Sequence, residues 1–200
     1  MKYSHFLRLV FDAVSKLGIR ISPLFIFKET ADPHQYAHFR PEDFKEYEIG
    51  FWGPEEIKIM ALIPGRQFTE NELLNRLREG QRCLGLKKNG KLVAFSWCNL
   101  KEFSFLFDRW PLNDDEAYLH DAYTNVDCRG KGIAPYLRYH LCRELENIGR
   151  TKLYSLSDYF NTPAVNFKLK LNAKKIKLNL YVDFFGKWHL CFNIKNYQAD

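Results

Sequence analysis

The chain has 200 residues, 46% of them hydrophobic and 16% aromatic, and a formal net charge of +6. That length suits one large domain, and that apolar content argues against a mainly disordered chain. The positive balance suits an anionic partner, whether nucleic acid, membrane phosphate or a phosphorylated small molecule. No apolar run reaches the ~18 residues of a membrane span. The five cysteines, Cys83, Cys98, Cys128, Cys142 and Cys191, are scattered with no C-x-x-C pair, which argues against a disulfide scaffold and a zinc site. Reduced thiols point to a cytoplasmic protein.

Residues 5–17 carry Phe6, Leu9, Val10, Val14 and Leu17 on one side of a helix, interrupted by Arg8, Asp12 and Lys16. That is an amphipathic helix rather than a signal peptide. "ISPLFIF" (21–27) is expected to be a buried strand, and the polar stretch 31–47 a loop entering a helix near Pro41. A helix follows over 54–61. In "TENELLNRLREG", Thr69 and Glu72 have capping-box spacing, Leu73, Leu74 and Leu77 form the apolar face, and Gly80 can end the helix. Asn89-Gly90 joins two strand-like runs and predicts a hairpin. The aromatic stretch "FSFLFDRWPL" (103–112) can be a lid, a substrate wall or core.

"EAYLHDAYTNV" (116–126) is expected to be a strand, residues 132–148 a helix, "TKLYSLS" a strand and "TPAVNFKLKL" a short helix. Two closing strands meet at a turn around Gly186. The lysines of "FKLKLNAKKIKL" predict either an anion site or, more simply, a solvated face. Hairpin, β-α-β unit, helix and closing hairpin make one mixed α/β layer structure. No helix-turn-helix, zinc-finger or aromatic RNA-binding signature supports nucleic acid as the partner.

Between the 116–126 strand and the next helix lies Arg129-Gly130-Lys131-Gly132-Ile133-Ala134. Glycines let a ligand approach the main chain, and the first helical turn offers unpaired amides at the positive end of the dipole. Two cations beside them complete a phosphate cradle. The loop lacks G-x-x-x-x-G-K-[ST], and Pro135 stands where a dinucleotide fingerprint needs its third glycine. What fits is [RQ]-x-x-G-x-[GA], filled by Arg129, Gly132 and Ala134. This resembles the acetyl-CoA loop of the GNAT acyltransferase superfamily. Asn161, Ala164, Phe167 and Lys170 resemble its second cofactor motif, while Lys168, Asn172 and Ala173 replace its usual Tyr, Gly and aromatic residue.

The resemblance implies a mixed β-sheet with helices on both faces, one domain over 1–200, and residues 1–19 as an N-terminal helical extension. It implies transfer of an acetyl or short acyl group from acetyl-CoA to a primary amine, by direct attack in a ternary complex. A catalytically inactive CoA-binding or protein-interaction module is the alternative. In this superfamily the strand before the loop is splayed from its neighbour and holds the pantetheine arm. Those contacts would fall here on Ala122, Tyr123 and Thr124, with the diphosphate on Arg129, Gly130, Lys131, Gly132, Ile133 and Ala134. Asn161 would lie beside the pantetheine or simply cap its helix, and Phe167 would pack on the cofactor or in the core.

An amine must lose a proton to react. Simple alternation places His120, Ala122 and Thr124 on one face of the strand, with Asp121 and Tyr123 on the other. His120 is the candidate base, or else a structural histidine. Asp121 and Glu116 replace it if a bulge exchanges the faces. The acid for the thiol is unassigned where Lys168 replaces Tyr. Tyr159, Tyr136 and Tyr123 are near in sequence, and solvent can serve. The acceptor is a small molecule or a protein, and the chain a monomer or homodimer.

Overall fold

The computed structural model describes residues 2–30, 41–66, 68–105 and 108–197. In chain order the elements are α1 (Lys2–Ser15), β1 (Ile19–Glu29), a 3-10 turn (Pro41–Phe44), β2 (Tyr47–Phe51), α2 (Pro54–Ala61), α3 (Glu70–Arg78), β3 (Arg82–Lys88), β4 (Lys91–Asn99), β5 (Glu102–Phe105), β6 (Asp108–Pro111) and β7 (Glu116–Thr124). They continue with a 3-10 turn (Val126–Cys128), α4 (Ile133–Asn147), β8 (Lys152–Asp158), α5 (Thr162–Lys170), β9 (Lys174–Phe184) and β10 (Trp188–Asn196). The chain forms two compact units, one of residues 1–29 with 154–200 and one of residues 30–153. Of the loop expected over 31–47, residues 31–40 lie outside the described residues, and the helix expected near Pro41 is only the 3-10 turn Pro41–Phe44.

In the 30–153 unit, β2, β3, β4 and β7 pair antiparallel in the order β2-β3-β4-β7. The alternation of each strand feeds two cores. Leu84, Leu86, Ala94, Cys98, Ala117 and Leu119 face the α4 residues Leu137, Leu141 and Leu145. Cys83, Phe95 and Trp97 face the other way, with Ile57 and Met60 of α2 and Leu73 of α3. Gly85 belongs to that second face: a Cβ there would sit 1.8 Å from Trp52 Cε2, so the indole occupies the volume of a missing side chain.

Local signals act as expected in this unit. Thr69 Oγ1 accepts from Glu72 N at 3.3 Å, and Glu72 Oε2 accepts from Thr69 N at 2.7 Å. Asn89 and Gly90 take φ of 52° and 71°, the two positive values a type I′ hairpin turn requires. Beyond expectation, "YEIGF" pairs with β3 as the edge strand β2. The aromatic stretch is a β5–β6 hairpin in which Phe103 is buried, with its ring centroid 3.8 Å from that of Trp110 and 4.4 Å from that of Tyr118.

In the other unit, β9 pairs antiparallel with β1 and with β10, in the order β10-β9-β1-β8. Its core holds Phe25, Phe27, Val165 and Ala173. α1 ends at Ser15, short of the expected Leu17, and its apolar side is mostly open, since Phe6, Leu9 and Val10 are exposed, as is Leu17 beyond its end. Phe11 makes the helix contact instead, edge-on to Phe160 at 5.8 Å. The lysine stretch is also not uniformly solvated. Lys168 is buried, with Nζ donating to the Leu156 carbonyl at 2.5 Å, 4.0 Å from Glu29 and 5.1 Å over the Phe27 ring. Lys170, Lys174 and Lys177 are exposed.

Candidate functional site

α4 begins at Gly132, which takes φ 74° and ψ 2° and gives the helix no side-chain cap. A left-handed residue turns the loop after the 3-10 turn into the helix, and glycine adopts it without a Cβ penalty. Pro135 has no N–H to satisfy in the first turn. The amides of Ile133 and Ala134 therefore end a 15-residue helix at the positive pole of its dipole. Gly130 is also left-handed, φ 77°, and the space where its Cβ would stand is open. Arg129 and Lys131 flank the turn, exposed, with Arg129 Nε donating to the Thr124 carbonyl at 3.2 Å and Lys131 Nζ to that of Asp127 at 2.9 Å. Ile133 contributes only backbone here, because its side chain lies in the core between α4 and the sheet. Uncapped amides, open space over Gly130 and two cations fit the diphosphate of CoA.

β7 carries the next group. In its register with β4, Tyr123 pairs with Phe95 and His120 with Trp97, so Asp121 and Ala122 together oppose the single residue Ser96. This is a β-bulge, and Asp121 takes φ 45° to make it. The bulge overturns the simple alternation. His120 and Tyr123 share the Trp97 and Phe95 face, and Tyr123 stacks on Phe95 at 5.3 Å. Ala122 is exposed, and Thr124 pairs with Ala94.

The three base candidates have different surroundings. The His120 ring lies 5.2 Å from Tyr118 and 6.5 Å from Trp97, near parallel to both. Burial and the Arg76 charge push its pKa down to about 3. For Asp121, burial raises the carboxyl, but Arg66 and Arg76 outweigh it and hold the group below its ordinary value. Arg66 Nη2 donates to its two oxygens at 2.8 and 2.6 Å, and Arg76 Nη1 to Oδ2 at 2.7 Å. Glu116 Oε2 accepts from Asn113 N at 2.9 Å and Nδ2 at 3.0 Å, closing the turn before β7. Sequence reasoning missed Arg66 and Arg76. They lie 55 and 45 positions from Asp121, and nothing in their local sequence marks them.

In the other unit, Asn161 caps α5, its Oδ1 accepting from Ala164 N at 3.2 Å, and Phe167 is part-buried. Tyr136 stacks on Phe44 at 3.9 Å, while Tyr159 is 38% exposed. Among the described residues no cluster of three His, Cys, Asp or Glu could hold a metal ion, and no helix is long and apolar enough to cross a membrane.

Residues 34–172 match the model of the Acetyltransferase (GNAT) family. No curated protein matches the sequence. Similar solved structures include a Drosophila protein, 16% identical with TM-score 0.59 over 90% of this chain and 57% of that one. A GNAT-family acetyltransferase from Colwellia psychrerythraea is 16% identical with TM-score 0.57 over 83% of this chain and 57% of its own. The ribosomal-protein-S18-alanine N-acetyltransferase of Escherichia coli is 21% identical with TM-score 0.51 over 62% and 76%. This chain thus spans a little over half the length of the first two. At these identities the likeness is one of fold: a mixed α/β architecture, here with an N-terminal helix.

Proposed function

Since the chain belongs to the GNAT acetyltransferase family, we propose that it moves an acetyl or short acyl group from CoA to a primary amine, by direct attack with both substrates bound. We read residues 1–200 as one such domain. The observation that carries the proposal is the uncapped N-terminus of α4 at left-handed Gly132, flanked by Arg129 and Lys131.

Acetyl-CoA, when bound, supplies the acyl group as an activated thioester. The amides of Ile133 and Ala134, with the two cations, hold its diphosphate. The backbone of Ala122, Tyr123 and Thr124 holds the pantetheine arm, and its N–H groups offer donors where negative charge develops on the acyl oxygen. Asn161 and Phe167 serve their own unit as cap and packing.

The proton of the amine is handled sparingly. His120 is neutral at physiological pH and can accept a hydrogen bond, but an imidazole held near 3 does not keep a proton. Asp121 is bound to two guanidiniums, and Glu116 is bound at the Asn113 turn. The amine therefore attacks in its free-base form and passes its second proton to water. Lys168, with Nζ on the Leu156 carbonyl, does not replace the missing Tyr as an acid, and the thiol leaves as a solvated thiolate.

The test is paired. CoA at about 100 times its dissociation constant should stabilise the protein by roughly 2.7 kcal/mol. Free thiol should be released from acetyl-CoA when an amine panel is added. Absence of any thermal shift with millimolar CoA would count against the proposal.

A further inference from the structure

The cluster around Asp121 has more positive charge than its own groups can use. Arg66 and Arg76 face one carboxylate, so two positive charges meet one negative. All three side chains are largely buried, with 12%, 15% and 15% of their surface exposed. Asp121 takes only Nη2 of Arg66 and Nη1 of Arg76. Arg66 Nη1 and the remaining nitrogens of Arg76 bond to no other described residue, and Arg66 Nε is buried without a partner. Glu72 senses Arg76, but its carboxylate is committed to the Thr69 cap.

Aromatic rings hold the guanidiniums in place. Arg66 lies 4.8 Å over Phe95 and Arg76 5.3 Å over Trp97, while Phe68 lies 4.1 Å from Arg76 and 5.6 Å from Arg66. Stacking leaves the planar edges of a guanidinium free for a second oxyanion. A partly desolvated net charge is costly without a counter-ion, and a fixed fork of donors suits a carboxylate or phosphate.

We propose that Arg66 and Arg76 form a subsite for an anionic group on the acceptor, so that the substrate is a short amino acid or aminoalkyl phosphate rather than a polyamine or neutral amine. This rests on the acyltransferase reading, because Asp121 directly precedes Ala122, where the thioester arm is placed. On that placement the acid and the amine of the acceptor belong to one short molecule.

The experiment compares matched acceptors at saturating acetyl-CoA: β-alanine against its amide, and 2-aminoethyl phosphate against ethanolamine. Thiol release gives kcat/KM, and calorimetry with CoA present gives binding of the same compounds. At least one anionic member should exceed its neutral partner about tenfold or more, and the pair that does so tells carboxylate from phosphate. Arg66→Gln should reduce that preference to under about twofold while keeping the thermal shift with CoA. Equal use of acid and neutral partner by the wild type overturns the subsite, as does a preference that survives in Arg66→Gln. If CoA neither binds nor is consumed, the acyltransferase reading fails by itself. Calorimetry of the four compounds with the protein alone then decides the subsite, and no difference between anion and neutral partner overturns it.

Discussion

His120 stands directly opposite Trp97 in the β4–β7 register, with its ring 6.5 Å from the indole and 24° from parallel. Burial there, with Arg76 close by, holds the imidazole at about 3 against an ordinary 6.5. Between those two values the unfolded chain binds a proton that the folded chain refuses. Stability must therefore fall as pH drops below about 6.5, with a slope of up to ~1.4 kcal/mol per pH unit from this residue. Asp121, also held below its ordinary value, adds to the loss at the acid end. Urea unfolding at pH 7 and pH 5 should show a smaller loss for His120→Phe than for wild type. Equal losses would place the acid sensitivity elsewhere.

The same imidazole bears on turnover. With a working amine, kcat/KM should rise with pH as the amine deprotonates, with no separate ionisation near 6.5. His120→Gln should keep the shape of the profile. An acid limb at pH 6–7 that vanishes in His120→Gln would make His120 the general base after all.

Gly132 takes φ 74° at the mouth of the cradle. Gly132→Ala should cost about 1–2 kcal/mol, the penalty for a Cβ in the left-handed region. Gly132→Glu carries that cost and also places a carboxylate against the diphosphate. The thermal shift with CoA should survive in the alanine variant, weakened, and disappear in the glutamate variant. A full shift in Gly132→Glu would put the cradle elsewhere.

Gly85 faces Trp52 so closely that Gly85→Ala places its Cβ 1.8 Å from an indole carbon. Both residues lie between strands and helices with little room to give, so the variant should lose about 3 kcal/mol or fail to fold. Adding Trp52→Leu should restore part of the loss. Chemical denaturation of the two variants measures this, and a harmless Gly85→Ala would mean the indole has another place to go.

Lys168 is buried beside Glu29 and donates to the Leu156 carbonyl. Lys168→Met should destabilise by about 3 kcal/mol, because a buried carboxylate loses a charged neighbour. Adding Glu29→Gln should recover part of it. If Lys168 is not the thiol's acid, kcat of the methionine variant stays within about threefold of wild type. A drop near a hundredfold in folded enzyme would assign the proton to Lys168.

The features already visible in the sequence are those whose physics closes within a few residues. The Thr69–Glu72 box satisfies its own amides, Asn89-Gly90 supplies its own positive φ values, and Gly132 opens α4 beside Arg129 and Lys131. Each needs only neighbours in the chain, so residue type and spacing suffice. The same holds for the periodicity that marks α4 and the strands around it. What the tertiary structure alone decided depends on partners far along the chain. "YEIGF" is a strand because β3 offers an edge to it, not because its five residues alternate. Lys168 reads as one more solvated lysine until Glu29 and Phe27 of β1 are placed beside it. From the sequence, Asp121 is a base only if a bulge exchanges the faces of its strand, and nothing in the strand says whether it does. The left-handed backbone of Asp121 shifts the register of β7 by one residue, and arginines 55 and 45 positions away bind its carboxylate. A charge's role is set by what surrounds it in space, and no pattern within β7 encodes that surrounding.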